Sequence, residues 1–306
     1  MKPFESYQYL EGTEMTDRDK IEVGSKFWNG GKWDNFVAPF LPKDCRDLSL
    51  VDMGCNSGLF LKLASDRGFE RVIGVDSDAR AVQRGIEWRD KVKGTYKIIY
   101  SSMEKIIDDL PIVDYTILAN SHYYFTINDW LDYLDKLRLK TLNCIVVTAE
   151  KRHLNRCWAS ADFEDVKRYF NTWSLSGFID ELPFGDDQSP RRLWGLDFSS
   201  SLIEKVSIDS LDCGNHVQDN FYKEIDNGVD YHITRYYRIL KSYRKSWSGE
   251  KLNSYVLDKI AVYEDLKENG LKKPLLVGSG NLVLDGNHRY CMMKTLGYKE
   301  VFIRRT

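Results

Sequence analysis

The stretch from Leu48 to Phe60 constrains the fold more than any other part of the chain. It reads as a short apolar strand that delivers Asp52, then a turn bracketed by Gly54 and Gly58, then the start of a helix. Glycine allows a tight turn and close approach to a ligand, and the first turn of a helix offers unpaired N–H groups. Asn56 stands where many such loops carry another glycine, and asparagine tolerates the left-handed conformation. The stretch therefore predicts a ligand-binding loop after the first strand of a βαβ unit.

Two acids help to separate the ligand classes that use such a loop. A pyrophosphate loop has the pattern G-x-G-x-x-G, and a carboxylate at its lip would repel the phosphates. Here the spacing is Gly54-x-x-x-Gly58 with Asp52 at the lip, which favours a ligand with a cationic end. A second strand, Arg71–Asp76, ends in an acid that can bond a pair of ribose hydroxyls. A generic βαβ unit with a tight turn is the alternative, since glycine turns are common.

The two strand ends together resemble motifs I and II of the class I S-adenosylmethionine-dependent methyltransferases, and the resemblance covers roughly residues 20–200. It implies S-adenosylmethionine as the cofactor and S-adenosylhomocysteine as the product. Many members carry an acid beside the adenine where this chain has Ser102. The resemblance implies that the methionine part lies on the 52–58 loop, the ribose on Asp76, and adenine between Ser102 and Met103. The residues expected to bind the cofactor are Asp52, Gly54, Cys55, Asn56, Gly58, Asp76, Ser77, Ser102, Met103 and Asn120.

Strand and helix signals alternate through the first two thirds of the chain, which implies a parallel sheet covered on both faces. Two strand-like runs at 173–180 and 192–198, without a helix between them, resemble the terminal antiparallel hairpin of the seven-stranded methyltransferase sheet. The predicted fold is thus a Rossmann-like α/β sheet. The expected strands are 48–53, 71–75, 95–100, 113–119 and 142–149, and the expected helices are near 58–67, 78–90, 103–109, 127–140 and 161–171.

The end of the fourth strand, 119–125, faces the transferred methyl group in that family. A base is needed there only if the acceptor carries a tightly held proton. His122 is the natural candidate, because its ordinary pKa lies near neutrality. Tyr123 and Tyr124 are candidates for the wall of the acceptor site. The alternative is that His122 caps the following helix and the tyrosines are core residues.

Residues 1–47 precede the first strand and are expected to form a helical lid over the cofactor pocket. Trp28 and Trp33 lie in its aromatic and glycine-rich part. They either stack on a planar substrate or, as is more common, anchor the lid to the core. The predicted domains are this lid, a methyltransferase domain at 48–200 and a further domain at 201–306.

The last hundred residues carry a second candidate loop, Asp285-Gly286-Asn287-His288-Arg289, between a strand and a helix. A helix at 259–271 and strands near 203–211, 274–277 and 301–303 accompany it. Together these resemble the ParB/sulfiredoxin superfamily over about residues 202–306, which implies a smaller α+β domain. Helix N-terminal amides with His288 and Arg289 predict a phosphate-binding site. Asn287 replaces the cysteine that sulfiredoxins need, so reduction of a sulfinic acid is not expected.

Alternatives of other classes remain open. One is a nucleotide-dependent kinase or switch that works through the 285–289 loop, with a nucleotide as a second cofactor. Another is an RNA- or DNA-binding modification protein, because a predicted helix at 233–247 carries five basic residues beside an aromatic stripe. A core stripe with a solvated back is the commoner reading of such a helix, so nucleic acid is not the favoured partner. A further alternative is that the domain with the 285–289 loop serves only for docking or dimerisation, with His288 and Arg289 paired to nearby carboxylates.

Composition sets broad limits. The net charge of −2 predicts neither polyanion nor membrane binding. The six cysteines lack metal-ligand spacing, which predicts a reducing compartment and no metal site. The absence of an apolar leader or membrane-length run predicts a cytoplasmic protein. The methyl acceptor and the oligomeric state cannot be deduced from the sequence, because acceptor specificity resides in variable loops.

Overall fold

The computed structural model describes residue 10 and residues 30–122, 125–149, 163–184, 191–200, 202–214, 218 and 220–306. The chain divides into two units. The first comprises residues 1–108 and 113–201, and the second comprises residues 109–112 and 202–306.

A seven-stranded sheet forms the centre of the first unit, in the order β3-β2-β1-β4-β5-β7-β6. Strands β1 to β5 are parallel to one another, whereas β7 runs antiparallel to both β5 and β6. This arrangement confirms the predicted Rossmann-like sheet with its terminal hairpin. Its strands are β1 (Ser49–Met53), β2 (Arg71–Asp76), β3 (Lys97–Tyr100), β4 (Val113–Ala119), β5 (Thr141–Ala149), β6 (Ser174–Phe184) and β7 (Arg191–Ser199).

Strand β1 lies in the middle of the sheet and is buried along its whole length. Asp52 is paired in register with Gly74 of β2 and with Ile117 of β4. A strand covered on both faces needs a continuous apolar run, which explains why its single carboxylate comes near its carboxyl end. The register places the end of β1 beside the ends of its two neighbours.

Within the described residues, five helices flank this sheet, each at a predicted position and most of them shorter than expected. The second begins after Asp78, whose side chain caps it by accepting from the amides of Arg80 and Ala81. The helices are α1 (Leu59–Asp66), α2 (Ala79–Lys91), α3 (Met103–Ile106), α4 (Ile127–Leu137) and α5 (Phe163–Tyr169).

A short helical segment precedes the sheet, with turns at Gly30–Lys32, Trp33–Val37 and Ala38–Phe40. Trp33 is buried, and its ring packs against Phe60 with centroids 5.6 Å apart. Phe36 belongs to the same core cluster. Trp33 is therefore an anchor of this segment, and Trp28 lies outside the described residues.

The second unit contains a four-stranded mixed sheet in the order β10-β9-β11-β8. Strand β9 is antiparallel to β10 and parallel to β11, and β11 is antiparallel to β8. The strands are β8 (Glu204–Ser207), β9 (Leu275–Val277), β10 (Val283–Asp285) and β11 (Glu300–Arg305), and the helices are α6 (Phe221–Asp226), α7 (Arg235–Tyr243), α8 (Gly249–Asn269) and α9 (Asn287–Thr295).

Three expected elements of this unit differ from the structure. The strand expected at 203–211 ends at Ser207 and continues as a 3₁₀ turn, Ile208–Ser210. The helix expected at 233–247 ends at Tyr243. The helix expected at 259–271 instead begins at Gly249, where the Ser248 side chain caps it by accepting from the amide of Lys251. The serine cap was the signal that the apolar periodicity alone did not reveal.

Within the described ranges, no helix combines the length and apolar character that crossing a bilayer requires. In the same residues no group of three or more His, Cys, Asp or Glu side chains is arranged to hold a metal ion.

Candidate functional site

The loop after β1 turns on three residues with left-handed backbone. Gly54, Asn56 and Gly58 have φ values of 82°, 51° and 85°. The amides of Gly54 and Cys55 both donate to the carbonyl of Val75 in β2, at 2.8 and 3.0 Å. The expectation that asparagine can replace a glycine in this turn is confirmed, and the loop is fastened to the neighbouring strand.

Gly54 also allows a close approach between two chain segments. A Cβ at this position would lie 2.6 Å from the Cβ of Ser121, just after β4. Ser121 is buried, and among the described residues its hydroxyl has no hydrogen-bond partner. Buried hydroxyls normally have one, so Ser121 is suited to bond a ligand in the loop. Ser121 could not be recognised as a site residue from the sequence, because only the packing of β4 beside β1 brings it to the loop.

Asp52 is 2% exposed. None of the described residues forms a hydrogen bond or ion pair with its carboxylate. Burial raises the pKa of Asp52 to about 8, and the negative charge of Asp76 contributes to the rise. A cation beside it would reverse this effect, because an opposite charge favours the ionised form. The Asp52 carboxylate is thus placed to bind a positively charged group of a ligand.

Asp76 closes the loop from the end of β2. Its Oδ2 accepts from the amide of Asn56 at 2.7 Å, and its Oδ1 accepts from the amide of Asp78 at 2.8 Å. Burial raises the pKa of Asp76, while these amides oppose the rise. An ionised carboxylate offers about four acceptor sites, so Asp76 retains capacity for the hydroxyls of a bound ribose.

The other expected cofactor residues lie at the same edge of the sheet, at the carboxyl ends of their strands. Ser102 and Met103 are half-buried at the start of α3, and the amide of Ser101 before them donates to the carbonyl of Asp76 at 3.0 Å. Ser77 is exposed. The amide of Asn120, which has a positive φ of 58°, donates to the carbonyl of Val147 at 2.9 Å.

Cys55 is fully buried within the loop, and burial raises the pKa of its thiol well above the ordinary value. A thiol held in its protonated form is a poor nucleophile. Cys55 therefore serves as a small apolar residue of the loop.

His122, the expected base, is 1% exposed. Its Nε2 lies 3.3 Å from the Thr148 hydroxyl, and its ring packs near Trp130 with centroids 5.9 Å apart. Burial lowers the pKa of His122 to about 3. The ring is thus neutral and enclosed, which favours a structural role, while its role as a base stays a prediction. Tyr123 and Tyr124 lie outside the described residues.

These residues fit S-adenosylmethionine. Around the loop lie two carboxylates and a buried hydroxyl. Among the described residues, Asp52 has no cationic partner and the Ser121 hydroxyl has no hydrogen-bond partner, while Asp76 keeps acceptor capacity. The glycines of the loop allow a ligand to approach its backbone closely. In an open α/β sheet, ligands bind outside the carboxyl ends of the strands, which is where these groups lie. The sheet has the Rossmann-like methyltransferase fold, and the groups at this edge are of the kinds that such a cofactor needs.

Comparison with known proteins supports this assignment. Residues 28–168 match a family described as a methyltransferase domain. Residues 28–168 are therefore similar to a methyltransferase domain, which supports the prediction of an enzyme of this kind. Two solved structures of one similar methyltransferase contain S-adenosylmethionine and S-adenosylhomocysteine, the cofactor and product that the sequence motifs predicted.

Among solved structures, a protein from Pyrococcus horikoshii OT3 is similar at 12% identity and a TM-score of 0.49, over 65% of this chain and 97% of that one. Magnesium protoporphyrin IX methyltransferase from Synechocystis PCC 6803, with bound S-adenosylmethionine, is similar at 15% identity and a TM-score of 0.47. That match covers 62% of this chain and 87% of the other. No curated protein sequence matches the chain.

The second unit contains a cavity of about 470 Å³ beside the 285–289 loop. Gly286 precedes α9 with a φ of 96°. The cavity is lined by the whole predicted loop and by side chains from α8 and the segment before α6: Gln218, Tyr255, Lys259, Val262, Leu284, Asp285, Gly286, Asn287, His288, Arg289 and Met292. The loop that the sequence singled out thus borders a cavity large enough for a small ligand.

Two of the expected phosphate ligands are engaged elsewhere. The two ring nitrogens of His288 lie 2.7 Å from the Tyr222 hydroxyl and 3.0 Å from the Tyr236 hydroxyl. Burial, with a contribution from the charge of Lys259, lowers the pKa of His288 to about 4. The ring is therefore neutral, and neither nitrogen remains for a phosphate in this arrangement.

Arg289 is bound in a similar way. Its guanidinium donates to the carbonyls of Lys273 and Pro274 at 2.7 and 3.1 Å and to Asp285 Oδ2 at 3.0 Å. The pairing of Arg289 with a carboxylate was the structural alternative to phosphate binding, and the structure contains it.

The sequence did not identify Lys259 and Gln218 as polar groups of this cavity, whereas Asn287 belongs to the predicted loop. Lys259 lies on the same face of α8 as Tyr255 and Val262, at spacings of four and three residues. Gln218 and Asn287 each have a buried side-chain oxygen without a partner among the described residues. The face of α8 was hidden from the sequence analysis because the helix was expected to begin only at residue 259.

Proposed function

We propose that the first unit binds S-adenosylmethionine through the residues described above and transfers its methyl group to an acceptor that the sequence does not identify. The observation that carries this proposal is the pair of acids at adjacent strand ends. Asp52 is buried and has no cationic partner among the described residues. Asp76 accepts a hydrogen bond from Asn56, in the loop that runs between the two acids. Asp52 receives the ammonium group, Asp76 the ribose hydroxyls, and Ser102 and Met103 flank adenine.

When bound, the cofactor supplies a methyl group carried on a positively charged sulfur. The acceptor atom attacks the methyl carbon in line with the carbon–sulfur bond, and the sulfur leaves. The residues of this chain contribute alignment and exclusion of water, which are the main sources of rate in such a reaction. Gly54 and Ser121 bring the ends of β1 and β4 close enough to hold the cofactor from two sides. The enclosed, neutral ring of His122 supports a structural role, so we expect the acceptor to lose its proton to solvent or to lack one.

Calorimetry with S-adenosylhomocysteine tests this proposal. We expect the purified protein to bind it, and Asp76→Ala to weaken the binding at least tenfold. Absence of binding by the wild-type protein, or equal affinity of the Asp76→Ala variant, would refute the assignment.

For the second unit we propose a ParB/sulfiredoxin-like domain that binds a phosphate or nucleotide. The mixed four-stranded sheet, the Gly286 turn before α9 and the adjoining cavity support it. In this proposal Lys259 supplies the positive charge and the amides at the start of α9 supply donors. His288 and Arg289 hold the loop in shape through their tyrosine, carbonyl and carboxylate partners. A nucleotide-dependent kinase or switch is the corresponding alternative function.

A thermal-shift screen with ATP, CTP, GTP and pyrophosphate tests the second site. A stabilising compound should lose its effect in Lys259→Gln and keep it in Lys299→Gln, a matched change at an exposed lysine. No shift with any of the four compounds, or an equal loss in both variants, would refute the site. Hydrolysis of the bound nucleotide would favour the kinase or switch alternative.

A further inference from the structure

A positively charged surface with one exposed and one half-buried aromatic ring lies on α7, the turn that follows it and the first turn of α8. We call it the basic-aromatic patch; it comprises Arg235, Arg238, Lys241, Arg244, Lys245 and Lys251, with Tyr243 and Trp247. Six basic residues thus fall between positions 235 and 251, against one acid, Glu250. All six basic residues are exposed, and in the described part of the chain none of them forms an ion pair with a carboxylate. The positive charge of the patch is therefore not neutralised locally.

The helix presents this charge in an ordered row. Tyr236 and Tyr237 form its buried face, and Arg235, Arg238 and Lys241 lie on the opposite side at three-residue spacing. A rise of 1.5 Å per residue separates successive members of this row by about 4.5 Å along the helix axis. A row of this kind can follow a chain of phosphates.

The aromatic rings are the second, independent observation. Tyr243 belongs to the aromatic stripe of the helix expected at 233–247, and such a stripe more commonly lies in the core, but the Tyr243 side chain is 83% exposed, because the helix ends there. The half-buried Trp247 ring packs against Tyr255 and has the Arg244 guanidinium and the Lys251 ammonium 5.0 and 5.1 Å from its centroid. The solvent-exposed ring of Tyr243 beside these cations is the combination on which a base of a single strand stacks.

We propose that the basic-aromatic patch binds single-stranded nucleic acid. Its cations meet the phosphates, Tyr243 stacks with a base, and Trp247 holds Arg244 and Lys251 in position. An anionic membrane is disfavoured because the apolar face of α7, which would have to enter the lipid, is buried in the second unit. The inference is independent of methyl transfer and of the cavity beside the 285–289 loop.

Fluorescence anisotropy of the full-length protein with labelled sixteen-residue oligouridine and oligothymidine tests the proposal. If about four cations contact phosphates, the affinity should fall about fifty-fold between 50 and 200 mM salt. Arg238→Gln with Lys241→Gln should weaken binding and flatten this salt dependence. Tyr243→Ala should weaken binding about tenfold at constant salt, since one stacking contact is lost. A preference for either oligonucleotide identifies RNA or DNA as the ligand.

Lys43→Gln with Lys223→Gln is the matched control, because both lysines are exposed and outside the patch. This double variant should bind like the wild type. Three results would overturn the proposal: no binding at 50 mM salt, an equal loss in the control, or Tyr243→Ala binding like the wild type. Equal binding to heparin or to anionic vesicles, unaffected by Tyr243→Ala, would show a general polyanion surface instead.

Discussion

The amide of Asn56 donates to Asp76 Oδ2 at 2.7 Å, across twenty residues of sequence. This bond joins the ligand loop after β1 to the acid at the end of β2. The other oxygen of Asp76 accepts from the amide of Asp78, at the beginning of α2. Asp76 therefore organises the loop before any ligand arrives, in addition to its expected bond to the ribose.

Replacing Asp76 should consequently affect more than one contact. We expect Asp76→Ala to weaken S-adenosylhomocysteine binding at least tenfold in calorimetry. Asp78→Ala is the control, because it removes the cap of α2 and should cost about 1 kcal/mol of stability. Its affinity should stay close to that of the wild type. Equal losses of affinity in the two variants would show that Asp76 acts only through the local fold.

Gly54→Ala should destabilise the first unit and abolish cofactor binding. The new Cβ combines an unfavourable φ of 82° with a contact of 2.6 Å to Ser121. Gly68→Ala isolates the backbone effect, because Gly68 has a φ of 96° and nothing within 4 Å of the added atom. The control should lower the melting temperature by about 2–4 °C, for a cost of about 1 kcal/mol. Gly54→Ala should lower the melting temperature further. A smaller decrease in Gly54→Ala than in Gly68→Ala would contradict the close approach of residue 54 to Ser121.

Cofactor binding should release a proton at mildly acidic pH. The pKa of Asp52 is about 8 in the free protein, so its carboxyl is protonated at pH 6.5. An ammonium group beside it favours the ionised form and lowers that pKa. Binding at pH 6.5 should therefore release close to one proton, and the affinity should rise with pH up to about 8. Calorimetry in two buffers with different ionisation enthalpies measures the release.

The Asp52→Asn variant completes that test, because asparagine has similar size and does not titrate. It should bind S-adenosylhomocysteine more weakly and release fewer protons. A wild-type protein that exchanges no protons on binding between pH 6 and 8 would contradict the assignment of Asp52 to the ammonium group.

His288 should make the protein sensitive to acid. Its pKa is about 4 in the folded chain and is near 6.5 when the chain is unfolded. Only the unfolded chain takes up the proton between these values, so stability is lost as the pH falls from about 6.5 towards 4. Urea unfolding at pH 7 and pH 5 should show a loss of about 1–2 kcal/mol from this residue.

His288→Gln should reduce that loss, since glutamine can bond Tyr222 and Tyr236 without titrating. Its unfolding free energy should change less between pH 7 and pH 5 than that of the wild type. An identical change in both proteins would mean that His288 is not protected from protonation in the fold.

Much of the first unit could be predicted because its signals are local. The apolar run at 49–53, the glycines after it and the acid at Asp76 each report on their own segment. The parallel direction of the first five strands follows from the alternation of strands and helices. The helix boundaries were less exact, as the early end of α3 shows, because terminal turns depend on contacts that periodicity does not record.

The side-chain contacts around the cavity of the second unit were harder to predict. The sequence identified the 285–289 loop but assigned the positive charge to His288 and Arg289. Each of these side chains finds partners far away in the sequence, among them Tyr222, Tyr236 and the carbonyl of Lys273. Such partners depend on how helices and strands pack, and a linear pattern contains no information on them.

The sequence by itself determined the backbone conformations that the ligand loop needs and the two acids at adjacent strand ends. Backbone preference and strand alternation are properties of short segments. Only the tertiary structure decided that Asp52 is buried with no cationic partner among the described residues, that Ser121 lies against Gly54, and that Tyr243 is exposed. Burial and proximity arise only when distant segments pack together, and they set the charge state and accessibility of each group.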